Sequence, residues 1–218
     1  MGLFITHLAT NPWDYFMWII IVMFSICVHE YAHAAVALRF GDDTAAQQGH
    51  LSLNPMIQMG PTSLVILCLI GIAWGAVPVD ISRIRRRLGE ALVALAGPLS
   101  NLGLCILFAA GVVIAELTLG HGEQANRAVM FFQLGAAANA VLFLFNLLPI
   151  PMLDGWAAIS VYVRKMQHMD QQQLSTISWF MILFIFVTPI LDVIWGLGYR
   201  MAGLISFWWI KLFSLFMN

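Results

Sequence analysis

His29-Glu30-Tyr31-Ala32-His33 is the group of side chains in this chain best suited to chemistry. On a helix, residues four apart project from one face about one turn apart, so both imidazoles face the same way. At this spacing two histidines can share one tetrahedral zinc, with Glu30 beside them to act on an attacking water. The surroundings sharpen the reading. From Phe16 to Leu38, His29, Glu30 and His33 are the only Asp, Glu, Lys, Arg or His residues. A run of that length crosses a bilayer as a helix, and ionisable groups at that depth are costly unless paired, ligated or hydrated. The plainer alternative, polar residues hydrogen-bonded inside a helix bundle, does not need all three residues of the motif.

The elements that must position these groups follow from composition. Of 218 residues, 61% are hydrophobic and 10% are charged, and the mean hydropathy is +0.87. Soluble domains carry roughly 25% charged residues, so this is an integral membrane protein with little room for a soluble domain. A net charge of −1 and few, locally placed basic residues give no reason to expect nucleic acid, and no nucleic-acid partner is expected. Cys27, Cys68 and Cys105 lie in apolar segments and read as buried small hydrophobes, with neither a disulfide framework nor a cysteine zinc site. Met1 to Trp13 has no basic n-region or small-residue cleavage site, so the first helix is expected to be retained.

Apolar segments run over about residues 13–40, 62–77, 91–119, 128–148, 175–197 and 201–216. Arg39, the cluster Arg83 to Arg87 and the pair Arg164–Lys165 belong in the cytoplasm by the positive-inside rule. A single crossing by 62–77 would put Arg39 and Arg83 on opposite faces, so that segment reads as re-entrant or partial. Gly49-His50-Leu51-Ser52-Leu53-Asn54 alternates polar and apolar residues, a weak strand signal. The expected fold is an all-α polytopic membrane protein. It has about five full transmembrane helices, one re-entrant or partial span and a short membrane-associated β-hairpin. All of it forms a single domain over 1–218, with core motifs in 28–165 and C-terminal helices in 174–217.

A catalytic zinc needs a third protein ligand and an open position. Asp154 stands out, because it follows a helix break at Pro149 and Pro151 within an apolar span. Asp192 and Glu116 lie near the expected outer ends of helices, away from a histidine pair on the cytoplasmic side.

His-Glu-x-x-His on an early helix, with Asn146-Leu147-Leu148-Pro149-Ile150-Pro151-Met152-Leu153-Asp154-Gly155 downstream, resembles the site-2 protease family of intramembrane zinc proteases. Ala96-Gly97-Pro98-Leu99-Ser100-Asn101 is similar to that family's third-helix motif. The match covers about residues 28–165 and is nearest the small bacterial and archaeal members without a PDZ or nucleotide-sensing domain. The resemblance implies that His29, His33 and Asp154 bind one zinc per chain. It also implies that Glu30 is the general base and that Asn146 assists at the substrate carbonyl. Met152 and Trp156 depart from the pattern, where family members often carry proline and glycine.

Asn146 can donate to a developing oxyanion or cap carbonyls released by the prolines. His50 reads as a loop residue, His7, His121 and His168 as solvated, and Gly97 and Asn101 as helix contacts. Substrate helices must unwind before cleavage, and residues 49–54 could pair with an extended substrate as an edge strand. The expected function is a zinc endopeptidase cutting single-pass transmembrane proteins near the cytoplasmic side of a prokaryotic inner membrane, with lipid and substrate as its partners. The alternatives are a divalent-metal transporter, which needs ligands at successive depths, and an inactive helix-binding protein.

Overall fold

The computed structural model describes residues 3–120, 122–163, 166 and 169–217. Arg164 and Lys165, expected in the cytoplasm, and His121 and His168, expected to be solvated, lie outside the described residues. The chain divides into two compact units, Met1–Ser100 with Asn146–Ile182, and Asn101–Phe145 with Leu183–Asn218.

In the first unit, helix α1 (Pro12–Phe40) starts where its sequence says it should. The Asn11 side chain accepts from the Asp14 N–H, Pro12 occupies the first turn, and Asp14 complements the positive end of the helix. It ends at Gly41, whose φ of +106° lets the Gly41 and Asp42 N–H groups bond back to Leu38 and Ala37. Helix α2 (Gly60–Ile70) has 11 residues, about 17 Å, and cannot cross a bilayer alone. Its last carbonyls are met by α1. The Tyr15 hydroxyl donates to Cys68 O at 2.9 Å and the Trp18 indole N–H to Gly71 O at 2.8 Å. The Phe4 ring seats on Gly71, where a Cβ would overlap it.

From Ile72 the chain is extended, and alternate residues Ile72, Trp74 and Ala76 are exposed while those between are half-buried. Its inner contacts are fixed at three points. Ser63 Oγ donates to Trp74 O and accepts from Trp74 N–H, Ala76 N–H donates to Gln58 O, and Asp80 N–H donates to Asp42 Oδ2. Arg85 N–H then reaches Phe40 O at 3.3 Å. Residues 60–85 therefore travel to the first turns of α1 as a helix and return to its last turn extended.

Helices α3 (Arg87–Leu119) and α4 (Glu123–Asn146) follow, then α5 (Asp154–Ser160), α6 (Gln171–Val187) and α7 (Ile190–Met217). By length and composition, α1, α3, α4 and Ile190–Leu215 of α7 can each cross a membrane.

Two expectations are corrected. Among the described residues there is no strand, and the hairpin at Gly49–Asn54 is absent. Gly49 turns with φ +81°, and Asn54 caps a short helix Pro55–Gln58 by accepting from the Met56 N–H. Gln58 Nε2 takes the carbonyls of His50 and Ser52, at 2.8 and 2.5 Å. Asn-Pro is a helix start, and it overrides the alternation before it. Second, the break between the last two helices falls at Thr188-Pro189 and not at residues 198–200. Proline lacks the N–H that a helix interior needs, whereas Gly196, Gly198 and Arg200 are carried within α7.

The second unit is built on small residues. Cys105, Ala109, Ala136, Ala140 and Ala202 form its buried cluster, packed against Phe108, Met201, Ile205 and Trp209. Gly111 abuts Phe132, Gly135 abuts Phe108 and Gly198 abuts Val141, each so closely that a Cβ would overlap. Such contacts let helices approach where lipid removes most of the hydrophobic drive. Asn101 donates to Asn139 Oδ1 at 3.0 Å and Asn139 to Gly135 O, both side chains fully buried.

Asp42 ties the end of α1 to the returning segment, accepting from Thr44 N–H and Oγ1 and from Asp80 N–H. Burial pushes its carboxyl up, but these hydrogen bonds and nearby Arg83 outweigh burial and hold it below the usual range. A lowered folded value stabilises above the unfolded value of about 3.9 and is lost as the pH falls through the folded one. Asp42→Ala should cost about 2 kcal/mol in chemical unfolding in detergent micelles. It should also remove that part of the acid destabilisation of the native protein below about pH 4.

Candidate active site

Helix α1 places His29 and His33 on one buried face, with their rings edge to face and Nε2 atoms 3.1 Å apart. His33 Nδ1 lies 2.6 Å from Val93 O of α3. A carbonyl can only accept, so Nδ1 carries the proton and Nε2 of the neutral ring presents a lone pair. The third member arrives on α5. Asp154 is its first residue, with Oδ2 3.0 Å from His29 Nε2 and Oδ1 3.4 Å from His33 Nε2. Oδ2 is buried and, despite that approach, makes no hydrogen bond.

This geometry is a test of metal binding. Imidazole lone pairs and a carboxylate directed at one point repel unless a proton or a cation lies among them. Ligands about 2.0–2.1 Å from zinc lie roughly 3.3 Å apart in a tetrahedron, and the separations here are 3.1, 3.0 and 3.4 Å. Among the described residues, His29, His33 and Asp154 are the group able to hold a metal ion. Two nitrogens and a carboxylate are the donor set of a catalytic zinc with an open position.

Glycines form the walls. A Cβ on Gly97 would overlap His29 Nε2 and His33 Nε2, and one on Gly75 would overlap the Glu30 carboxylate. Gly97, expected as a helix contact, brings α3 against α1 at the ligand atoms themselves. Gly75 brings the extended segment directly against Glu30, which is itself buried. Gly155 lets α5 close on the carbonyls of Leu147 and Leu148, where any side chain would clash.

The break that delivers Asp154 is held from α6, where the buried Ser178 hydroxyl donates to Pro151 O at 2.7 Å. Met152 in this loop has φ +73°, a value proline cannot take. Asn146 closes α4 at the head of the break, half-buried. His50 is half-buried in its loop, its Nδ1 3.2 Å from Gln58 Oε1, and His7 is exposed. Asp192 opens α7 and Glu116 lies near the end of α3, and neither belongs to the metal group. Val93, Gln58, Ser178 and Gly75 were not identifiable from the sequence as parts of the site. The glycine interruptions at 71 and 75 were the one visible trace.

A His-Glu-x-x-His helix joined by a distant aspartate defines a zinc metalloprotease embedded in apolar helices. The model of peptidase family M50 matches residues 17–189. The chain is 37% identical over 180 residues to YwhC of Bacillus subtilis, provisionally named a zinc metalloprotease, covering 79% of this chain and 80% of that one. It is 32% identical over 210 residues to Rip2 of Mycobacterium tuberculosis, likewise provisionally named, covering 84% and 77%. No solved structure matches. The chain belongs to peptidase family M50, the site-2 protease family. Zinc is the cofactor of this family of membrane metalloproteases.

Gly97→Ala should lower zinc content at least tenfold at limiting metal, the size of loss seen when ligand support is disturbed. Gly75→Ala should keep zinc and lose peptide hydrolysis. Metal analysis beside a cleavage assay separates the two.

Proposed function

We propose that this chain is an intramembrane endopeptidase that hydrolyses a peptide bond within a transmembrane segment of a substrate protein, near the cytoplasmic side. The observation carrying this is the position of Glu30. It lies among His29, His33 and Asp154 on one side, while Gly75 of the extended segment presses on it from another. The N–H groups of Trp74 and Ala76 are bonded inward. Successive amides point in opposite directions along an extended chain, so those of Ala73, Gly75 and Val77 form a second edge beside Glu30. A substrate segment, unwound and extended, can add to that edge.

His29, His33 and Asp154 hold the zinc. When bound, zinc polarises a carbonyl and lowers the pKa of water towards about 7. Glu30 accepts the proton of the attacking water and delivers it to the leaving nitrogen. Asn146 donates its amide to the substrate oxyanion or holds the carbonyls ahead of Pro149. The apolar packing around α1 excludes bulk water and strengthens each of these interactions.

The site lies in the second half of α1, with Arg39 six residues beyond His33. Arg39 and Arg83 to Arg87 sit at one end of α1, which supports a cytoplasmic placement in a prokaryotic inner membrane. Residues 60–80 are then a re-entrant excursion. Five helices cross, α6 being the shortest at 17 residues, and all form one metalloprotease domain whose partners are lipid and single-pass substrates.

Glu30→Gln should retain zinc and folding and slow cleavage of a single-pass substrate by about 10²- to 10⁴-fold. Ala73→Pro or Val77→Pro should impair cleavage of the membrane substrate more than that of a soluble unfolded peptide. Native cleavage rates in Glu30→Gln would overturn the assignment of the base. Zinc flux across vesicles without cleavage of any substrate would instead favour transport.

A further inference from the structure

Helix α7 carries a charge where a membrane helix can least accommodate one. Its apolar span is Ile190–Leu215, and every 18-residue stretch within those bounds contains Arg200. Asp192 and Lys211 bracket the same span, 19 residues apart, about 28 Å and close to a hydrocarbon core of about 30 Å. Lys211 lies over the rings of Phe207 and Trp208, at 4.8 and 5.4 Å, as an interfacial anchor does. Arg200 is then near mid-membrane, about 12 Å from the level of Asp192. It is exposed, and among the described residues its guanidinium has no hydrogen bond or ion pair. An intramembrane arginine usually faces a protein interior or pairs with an acid.

The face around it is equally telling. Ile194, Gly198, Ala202, Ile205 and Trp209 turn α7 towards the second unit's cluster. Gly196, Arg200, Gly203 and Phe207 fall on the opposite side at steps of four, three and four residues. A Cβ on Gly196 or Gly203 would meet nothing. These glycines have ordinary helical φ values and no close neighbour within the chain, yet glycine weakens a helix interior relative to alanine. Small residues on an outer membrane face suit close approach by another helix.

We propose that this face of α7 docks a transmembrane helix of another protein carrying an aspartate or glutamate near mid-membrane. The carboxylate pairs with Arg200, and Gly196 and Gly203 let the two backbones approach one turn above and one below. A second copy is the wrong occupant. Packed face to face in the same orientation, two chains would set Arg200 against Arg200 at equal depth. Asp192 is the acid on this side of α7, two turns away.

The test uses the full chain, acceptor-labelled, in phosphatidylcholine vesicles. The probes are donor-labelled polyleucine helices of about 22 residues, with Glu, Gln or Lys at the centre. Energy transfer should show the Glu helix binding on the order of tenfold more tightly than the Gln helix, as an interhelical polar contact in a membrane would give. Arg200→Gln should abolish that preference, Arg200→Lys should retain it, and Arg200→Glu should transfer it to the Lys helix. That reversal cannot come from misfolding. Gly196→Leu with Gly203→Leu should weaken all probes. Equal binding of the Glu and Gln helices, or a preference that survives Arg200→Gln, overturns the proposal. So does its loss in phosphatidylglycerol vesicles, where a lipid headgroup has taken the arginine.

Discussion

Three electron-pair donors directed at one point in an apolar interior are the constraint around which the first unit is arranged. His29 Nε2, His33 Nε2 and Asp154 lie 3.0–3.4 Å apart. Water cannot dilute their mutual repulsion, and a bound zinc converts it into attraction. Keeping that arrangement requires support from four residues on three separate elements. The Val93 carbonyl sets the His33 tautomer and the bare Gly97 wall leaves room for the imidazoles. Gly155 and Ser178 bring the aspartate loop to its place. The metal and the fold thus depend on one another: the ligand set favours the folded arrangement only when a cation is present to share.

The parts of this arrangement readable in the sequence are those that local chemistry determines. A four-residue histidine spacing inside a 29-residue apolar helix, with Asn-Pro at its start and Gly at its end, leaves little freedom. Paired prolines before Asp154 announce a break, and the arginines near both ends of 62–77 already argue against a single crossing. What was not readable depends on distance in space. Alternation at residues 50–54 reflects a turn gathered by Gln58, eight residues from His50. The extended backbone lies instead at 72–80, whose apolar composition hides the two-residue period. Gly97 and Gly75 matter through what they face, and no local pattern records that. Gly198 and Arg200 looked like a connection because polar and flexible residues usually are, whereas Pro189 supplies the actual break.

The two units solve the membrane packing problem with different means. The second relies on alanines, glycines and an interlocked asparagine pair, so its helices meet through shape and one polar contact. The first tolerates irregular backbone because side chains supply what a neighbouring strand or helix turn would otherwise provide: Ser63 for the extended segment, Gln58 for the carbonyls of His50 and Ser52, Tyr15 and Trp18 for the end of α2. Backbone groups left unmet at this depth would be expensive, and Tyr15 and Trp18 are the reason such a short helix can stop where it does.

The two ends of the returning segment are pinned to opposite ends of α1. Gly71 is tied to Trp18, and Asp80 to Asp42 just past Phe40. Nine peptide steps reach at most about 31 Å, and α1 from Trp18 to Phe40 measures about 33 Å. The segment is therefore taut. A deletion would leave it unable to reach both pins, and an insertion would have to bulge out of line, swapping inward and outward residues beyond it. Its length acts as a ruler that sets Gly75 opposite Glu30. Evolution is free to change the side chains along it far more readily than their number.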